Sequence, residues 1–540
     1  MSGGLRQRMS WLHTWGGLWF CWLAFAIFLT GTLSVFTDAI SDWMRPEAPM
    51  HADAAPYARA GNHDAQLAHG LALLQRKAPH SNMWELWPRE GEQRFNIYWL
   101  NAQGRYEDAH VSTATGTELP EEARTVRDTA GGNHFVEFHH ALHAGVAGLW
   151  IVGAASVAML VALISGVITH KRIFKDFFTF RPAKGQRSWL DAHNLGVLTL
   201  PFLFVIVYSG LAISWHTYVP AVLWAQQLRG EGHVNVKDYG PERGATGRPG
   251  VLAPLAPLVR QAEETFRSPV FAVVINHPGD AGMTVQVYGT TSPATQDGNL
   301  LSTRGVLTFD GVSGALLETR MPHRAPANGA RATMSTLDEL HRLHFAGSAI
   351  RWLYFVSGLA GTAMMASGAV LFMVKRRQKS QREFGARTPQ VYRLIEVLNV
   401  ASIAGLSLAC IGYLWANRLV PLGIDERHDW EILAFFGAWL ATLLHAALRP
   451  AAQAWREQLL AAATLCLLLP ALNAATTGQH FAGYVAQGDW ERAGVELTSL
   501  AFGLLLVAAA WRVRGGAAAK PAASNTAAVA GARTAGKAGA

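Results

Sequence analysis

The chain has 540 residues and a formal charge of +8; half of its residues are hydrophobic and only 16% are charged, against roughly 25% in soluble domains. That balance excludes a disordered protein and argues against a soluble one. Three cysteines exclude a disulfide scaffold, an iron–sulfur protein with its own cysteine set and a Cys-x-x-Cys-His haem attachment. The basic surplus, by its position along the chain, reads as membrane topology and not as nucleic-acid binding.

A hydrocarbon core about 30 Å thick needs about 20 apolar residues per spanning helix. Runs of that kind lie at about 11–37, 145–169, 194–216, 347–374, 394–416, 431–448, 457–473 and 494–511. The first is too long for a signal-peptide core and lacks a small-residue cleavage site, so it reads as a retained anchor. The expected organisation is therefore an N-terminus and first span (1–39), an α+β module (40–138), and two spans around a basic loop (139–216). A second module (217–338), a fourth span with its basic loop (339–393), a four-helix transmembrane bundle (394–514) and a disordered Ala/Gly/Lys-rich tail (515–540) follow. Each module pairs an amphipathic stretch (Ala65–Leu74, Leu258–Phe266) with alternating strands (Arg94–Leu100; Val270–Ile275 and Met283–Val287) and a turn signal (Thr113–Leu119, Asp310–Leu317). Loop 170–192 carries Lys171, Arg172, Lys175, Arg181, Lys184 and Arg187, and loop 375–393 and the tail are also basic. The opposite short loops carry only Arg418, Arg427 and Arg492. Basic loops stay cytoplasmic, so both termini of this multi-pass membrane protein are expected in the cytoplasm, with the modules facing outward.

An internal repeat is visible. His13 stands 17 residues before Thr30 of a Thr30-Gly31 pair, and His193 stands 17 before Gly210 of a Ser209-Gly210 pair. His140-x-x-His143 precedes Ser165-Gly166 and Lys171-Arg172; His341-x-x-His344 precedes Ser367-Gly368 and Lys375-Arg376, with one residue inserted. Helix–module–helix thus occurs twice, ahead of a bundle without the pattern.

Ionisable side chains at membrane depth are costly and usually functional. A zinc or other 3d-metal cage would want carboxylates or cysteines beside the histidines, and copper would want Met and Cys. Haem b needs only one imidazole from each side and an apolar slot, and Gly16, Gly17, Gly145, Gly148, Gly196 and Gly347 leave room near the histidines. His143 and His170 lie 27 residues apart on one helix, about 40 Å at 1.5 Å per residue, so two haems are expected. The outer one is assigned to His143 and His344, with His140, His216 and His341 as substitutes. The inner one is assigned to two of His13, His170 and His193, with Arg172 and Arg187 as candidates for the propionates.

The stretch GVITHKRIFKDFFTFRPAKGQRSWLDAHNLGVLTLP at 166–201 resembles the PepSY-associated transmembrane helix family, which includes haem-containing ferric-siderophore reductases. LHTWGGLW (12–19), FHHALHAG (138–145), LHRLHFAG (340–347) and RLIEVLNVASIAGLSLA (393–409) extend the resemblance over roughly residues 5–416. It implies a polytopic α-helical membrane protein of about eight spans, repeated in the first four, with two small periplasmic α+β PepSY-type modules and two b-type haems. The family's motif histidines fall on His13, His143, His170, His193 and His344. Leu203 departs from it, since family members often carry His after Leu-Pro-Phe. The expected activity is reduction of a periplasmic ferric siderophore with release of Fe(II). The alternatives are a haem b electron-transfer subunit for another periplasmic acceptor and a non-redox PepSY regulatory protein. No G-x-G-x-x-G follows a strand, so neither flavin nor NAD(P) is expected, and quinol or a separate reductase would be the donor. Trp84, Trp87, Tyr98 and Trp99 are candidate walls of a siderophore pocket, or else the filling of a small core.

Overall fold

The computed structural model describes residues 4–47, 63–88, 94–101, 106–119, 127–170, 186–218, 243–289, 305–321, 329–343, 346–379 and 383–516. The tail beyond 516, Arg172 and His344 lie outside these residues. Helix α1 (Leu5–Ser34) is followed by a short α2 (Thr37–Met44), then α3 (His63–Lys77) and strands β1 (Met83–Trp87), β2 (Arg94–Leu100) and β3 (Tyr106–Ser112). The chain returns through α4 (Asn133–Ala141) into α5 (Gly145–Thr169), and continues as α6 (Gln186–Leu195), a 3₁₀ turn at Gly196–Thr199 and α7 (Leu200–Ile213). The second outer segment holds α8 (Leu255–Phe266), β4 (Val270–Asn276), β5 (Thr284–Gly289), β6 (Val306–Asp310) and β7 (Leu316–Arg320). After it come α9 (Gly329–Arg342), α10 (Ser348–Lys379), α11 (Thr388–Val400), α12 (Leu406–Leu419), α13 (Arg427–Leu448), α14 (Ala451–Thr477) and α15 (Trp490–Gly516).

Eight spans among the described residues are long and apolar enough to cross a bilayer, and the chain is a polytopic membrane protein. Their burial is inverted relative to a soluble bundle: Leu440, Leu504 and Leu505 are exposed, where lipid would lie, while Thr30, Ser165, Ser209 and Ser367 are buried between helices. Helix α1 packs on α5 and α10, and α6 packs on α10. The two repeat units therefore meet face to face.

The two outer segments form one sheet. The first strands of the two modules pair antiparallel, Glu85 opposite Val274 and Leu86 opposite Val273, giving the order β3-β2-β1-β4-β5-β6-β7. Helices α3 and α8 cover the same face, where Leu67, Leu74, Leu258 and Phe266 pack on Phe95, Ile97, Val273 and Phe309. Trp84 and Trp99 belong to this core, so of the four aromatics considered as pocket walls these two are core filling. Trp87 lies 4.8 Å from the rings of both Tyr98 and Phe271, half-buried on the other face. The turn after β6 is fixed by Asp310, which accepts from the backbone N–H groups of Val312 and Ser313. Those bonds favour its charged form and hold its carboxyl down at about 2.

The last four spans pack against the first four. Trp22 of α1 donates to Asn399 Oδ1 at 2.7 Å, and Asn399 bonds to Ala369 O of α10. At the sheet-side end, Arg418, Arg427 and Arg492, expected as loop charges, are buried. Arg427 pairs with Glu431, which also accepts from Asn417 Nδ2 at 2.7 Å and from Thr129 Oγ1. Arg418 stacks 3.9 Å above Trp43 and donates to Asn473, which in turn donates to Glu496 at 2.8 Å. These contacts join α2 and the segment before α4 to the bundle, satisfying polar groups that lipid could not.

Candidate functional site

Four buried or half-buried histidines are brought together in two pairs. His13 on α1 faces His193 on α6 with ring centroids 6.2 Å apart. His139 on α4 faces His341 on α9 at 6.0 Å, the rings within 25° of parallel. Measured along α1, from His13 to the Ile27 carbonyl that holds His139, the pairs are separated by about 21 Å at 1.5 Å per residue.

All four rings are held in one manner. His13 Nδ1 lies 2.9 Å from Ala162 O, His139 Nδ1 2.8 Å from Ile27 O, His193 Nδ1 2.9 Å from Met364 O and His341 Nδ1 3.0 Å from Ile206 O. Each acceptor sits four residues before a glycine: Gly166, Gly31, Gly368 and Gly210 respectively. Each ring fills the space a side chain would take there. A Cβ at Gly31 would lie 2.6 Å from His139, one at Gly210 2.8 Å from His341, one at Gly166 3.0 Å from His13 and one at Gly368 3.1 Å from His193. This accounts for the Ser/Thr-Gly pairs at repeat-related positions. An Nδ1–H given to a carbonyl places the Nε2 lone pair on the opposite edge of the ring, and among the described residues none of these four Nε2 atoms has a hydrogen-bond partner.

The repeat register is corrected by this geometry. His139 and Gly166 are 27 residues apart, as are His341 and Gly368, so the equivalent histidines are His139 and His341 and no residue is inserted. The equal spacing was the signal in the sequence, obscured by the adjacent His140. Counted to the glycine, His13 to Gly31 is 18 residues and His193 to Gly210 is 17. The 3₁₀ turn at Gly196–Thr199 makes up the difference: at 1.5 Å per α residue and 2.0 Å per 3₁₀ residue both paths span about 27 Å.

The other candidates fall as follows. His143 bonds to His134 (Nε2 to Nδ1, 3.0 Å), whose ring stacks on Tyr413 at 4.2 Å; it does not face His341. His140 bonds to Val136 O within its own helix. The side chain of His216 lies outside the described residues. His170 lines a cavity of about 640 Å³ with His13, His193, Trp11, Lys375 and Arg376, and its buried Nδ1 has no hydrogen-bond partner among the described residues. Arg187 is exposed and lies outside that lining. Leu203, the departure noted above, is fully buried against Gly361.

Chemically, each pair offers two neutral imidazole nitrogens to one metal ion. With N–metal bonds of about 2 Å, two such ligands place their ring centroids about 6 Å apart, which is the spacing of both pairs. Among the described residues no group of three or more His, Cys, Asp or Glu could hold a metal. Two imidazoles leave further coordination positions that no described side chain fills.

The family model described as PepSY-associated TM region matches residues 10–375, a stretch that contains both pairs. The uncharacterized protein PA4219 of Pseudomonas aeruginosa is 28% identical over 407 residues, covering 72% of this chain and 96% of that protein.

Proposed function

The chain belongs to the PepSY-associated TM region family, and on that premise we propose that it is an inner-membrane reductase that carries electrons through two haem b groups to a periplasmic ferric siderophore. The observation that carries the reading is the pair of two-imidazole sites, each without further ligating side chains among the described residues, stacked about 21 Å apart, against a hydrocarbon core of about 30 Å. Two imidazoles about 6 Å apart would suit a metal that brings its other ligands with it, as haem iron does. Haem so bound supplies reversible one-electron chemistry.

His13 with His193, and His139 with His341, would hold the two haems in this reading, in place of the His143–His344 pair. The carbonyls of Ala162, Met364, Ile27 and Ile206 fix tautomer and ring orientation. The four glycines make room for the rings, and α1, α5, α6, α7 and α10 line the cavity beside His13 and His193. Lys375 and Arg376 line the 640 Å³ cavity and can meet carboxylates there, the role first given to Arg172 and Arg187. The basic loops put this end in the cytoplasm and the sheet in the periplasm. Trp87, Tyr98 and Phe271 then offer an aromatic patch to a chelate. Hard oxygen ligands hold Fe(III) far better than Fe(II), so one electron per chelate releases the metal. A quinol would give two electrons and two protons and serve two chelates; a separate reductase is the other donor.

The test is a reduced-minus-oxidised spectrum with haem quantitation, followed by ferric-siderophore reduction in proteoliposomes with a trap for Fe(II). Two haems per chain and trapped Fe(II) are expected. A haem-free protein sinks the reading. A haem-replete protein that reduces no ferric siderophore belongs to the electron-transfer alternative.

Gly31→Ala gives a second, local check. Alanine should favour an exposed helix by about 1 kcal/mol, yet its Cβ would stand 2.6 Å from His139 Cε1. The expected outcome is loss of one haem of two without loss of helicity, read by pyridine haemochrome and circular dichroism.

A further inference from the structure

Each carbonyl that holds a paired ring also accepts a hydroxyl. Ala162 O takes Ser165 Oγ at 3.2 Å and Met364 O takes Ser367 Oγ at 2.9 Å; Ile27 O takes Thr30 Oγ1 at 3.2 Å, a hydroxyl that also reaches Ala26 O at 2.8 Å, and Ile206 O takes Ser209 Oγ at 3.1 Å, an oxygen that also lies 3.1 Å from His341 Nδ1. In every case the hydroxyl comes from the residue three after the acceptor, next to the glycine that admits the ring. Hydroxyls bonding back to their own helix are common in apolar helices, and Thr14, Ser34 and Ser407 do so here at carbonyls that take no ring. What is particular is that all four ring-holding carbonyls carry one.

We infer that the hydroxyls of Thr30, Ser165, Ser209 and Ser367 tune the paired histidines, sharing each acceptor so that the imidazole is a weaker electron donor than the same carbonyl without the hydroxyl would make it. The inference rests on the haem reading above. A carbonyl oxygen that already accepts one donor is a poorer acceptor for the next. The stronger the bond from Nδ1–H, the more anionic and basic the ring becomes at Nε2. A more basic axial ligand favours the ferric state. Removing the hydroxyl should therefore strengthen the Nδ1–H bond and lower the midpoint potential of that site alone. The hydroxyls lie on the Nδ1 side of the rings, away from Nε2, so they are positioning groups acting through histidine. The two ends are tuned independently, by Ser165 and Ser367 at the basic-loop end and by Thr30 and Ser209 at the sheet end. That would let one fold set the slope along which electrons run.

The experiment is a spectroelectrochemical titration of the purified full-length, haem-loaded protein. Ser165→Ala combined with Ser367→Ala should move one midpoint to more negative potential and leave the other in place; Thr30→Val combined with Ser209→Ala should move the other. The hydroxyl-retaining Ser165→Thr and Ser367→Thr should keep the wild-type midpoints. Either single alanine variant should give a smaller shift of the same sign, which keeps the test open if a double variant fails to fold. Unmoved midpoints at two haems per chain overturn the inference and leave the haem reading standing, as do equal shifts in the threonine variants. Absence of haem from the wild type overturns the haem reading, and this inference with it.

Discussion

On the proposed di-haem reading, alanine at His139 or His341 should cut the haem content from two per chain to about one, and alanine at His13 or His193 should do the same for the other haem. Two classes of half-loaded protein are expected, with different residual midpoints, and a variant combining His13→Ala with His139→Ala should be haem-free. The reasoning is geometric. Each ring is the partner of one other at about 6 Å, and no third ligating side chain among the described residues can replace it. His143→Ala provides the contrast, because its ring is spent on His134 and both haems should stay. Haem quantitation on these variants separates the two assignments; loss of haem in His143→Ala together with retention in His139→Ala would return the outer site to His143.

The difference between those assignments shows where sequence reading stops. The histidines stood out as a set because ionisable groups at helix ends in an apolar chain are conspicuous. Their partners could not be read, because two His-x-x-His patterns look alike while the deciding contact is a carbonyl on another helix. His139 points at Ile27 O, and only the fold says so. The Ser/Thr-Gly pairs were legible as repeats, but the reason for the glycine, a ring in the place of a side chain, is a property of two helices in contact.

The eight spans and most strands were legible for a simpler reason: length and period are local. Arg94–Leu100 and Leu258–Phe266 carry their alternation or amphipathicity on the surface of the sequence. Strand β1, five residues long with Trp84 in the core and Trp87 on the opposite face, shows little contrast between its two sides. Its pairing with β4 joins segments far apart in the chain and merges two modules into one sheet. Nothing local in either module specifies that union.

Glu431→Ala should cost about 3–5 kcal/mol of stability, the range for breaking a buried ion pair by removing one partner. Arg418, Arg427 and Arg492 were read as charges of short loops, since each sits where an apolar run ends. Arg427 is instead 1% exposed and Glu431 not exposed at all. Removing the carboxylate leaves a guanidinium with Asp128, Asn417 and Val420 carbonyls as partners and no counter-charge, and it also strands the Asn417 amide and the Thr129 hydroxyl. Glu431→Gln keeps an acceptor for them and should cost less. The damage should be confined to the joint between the last four helices and the segment before α4, because both histidine pairs lie on other helices. Thermal denaturation in one detergent, followed by tryptophan fluorescence, should show early loss of the C-terminal bundle in Glu431→Ala. The haem spectrum of the same sample before heating should match wild type. Equal thermal stability of Glu431→Ala, Glu431→Gln and wild type would mean that the cluster is solvated and the joint is held by its apolar contacts alone.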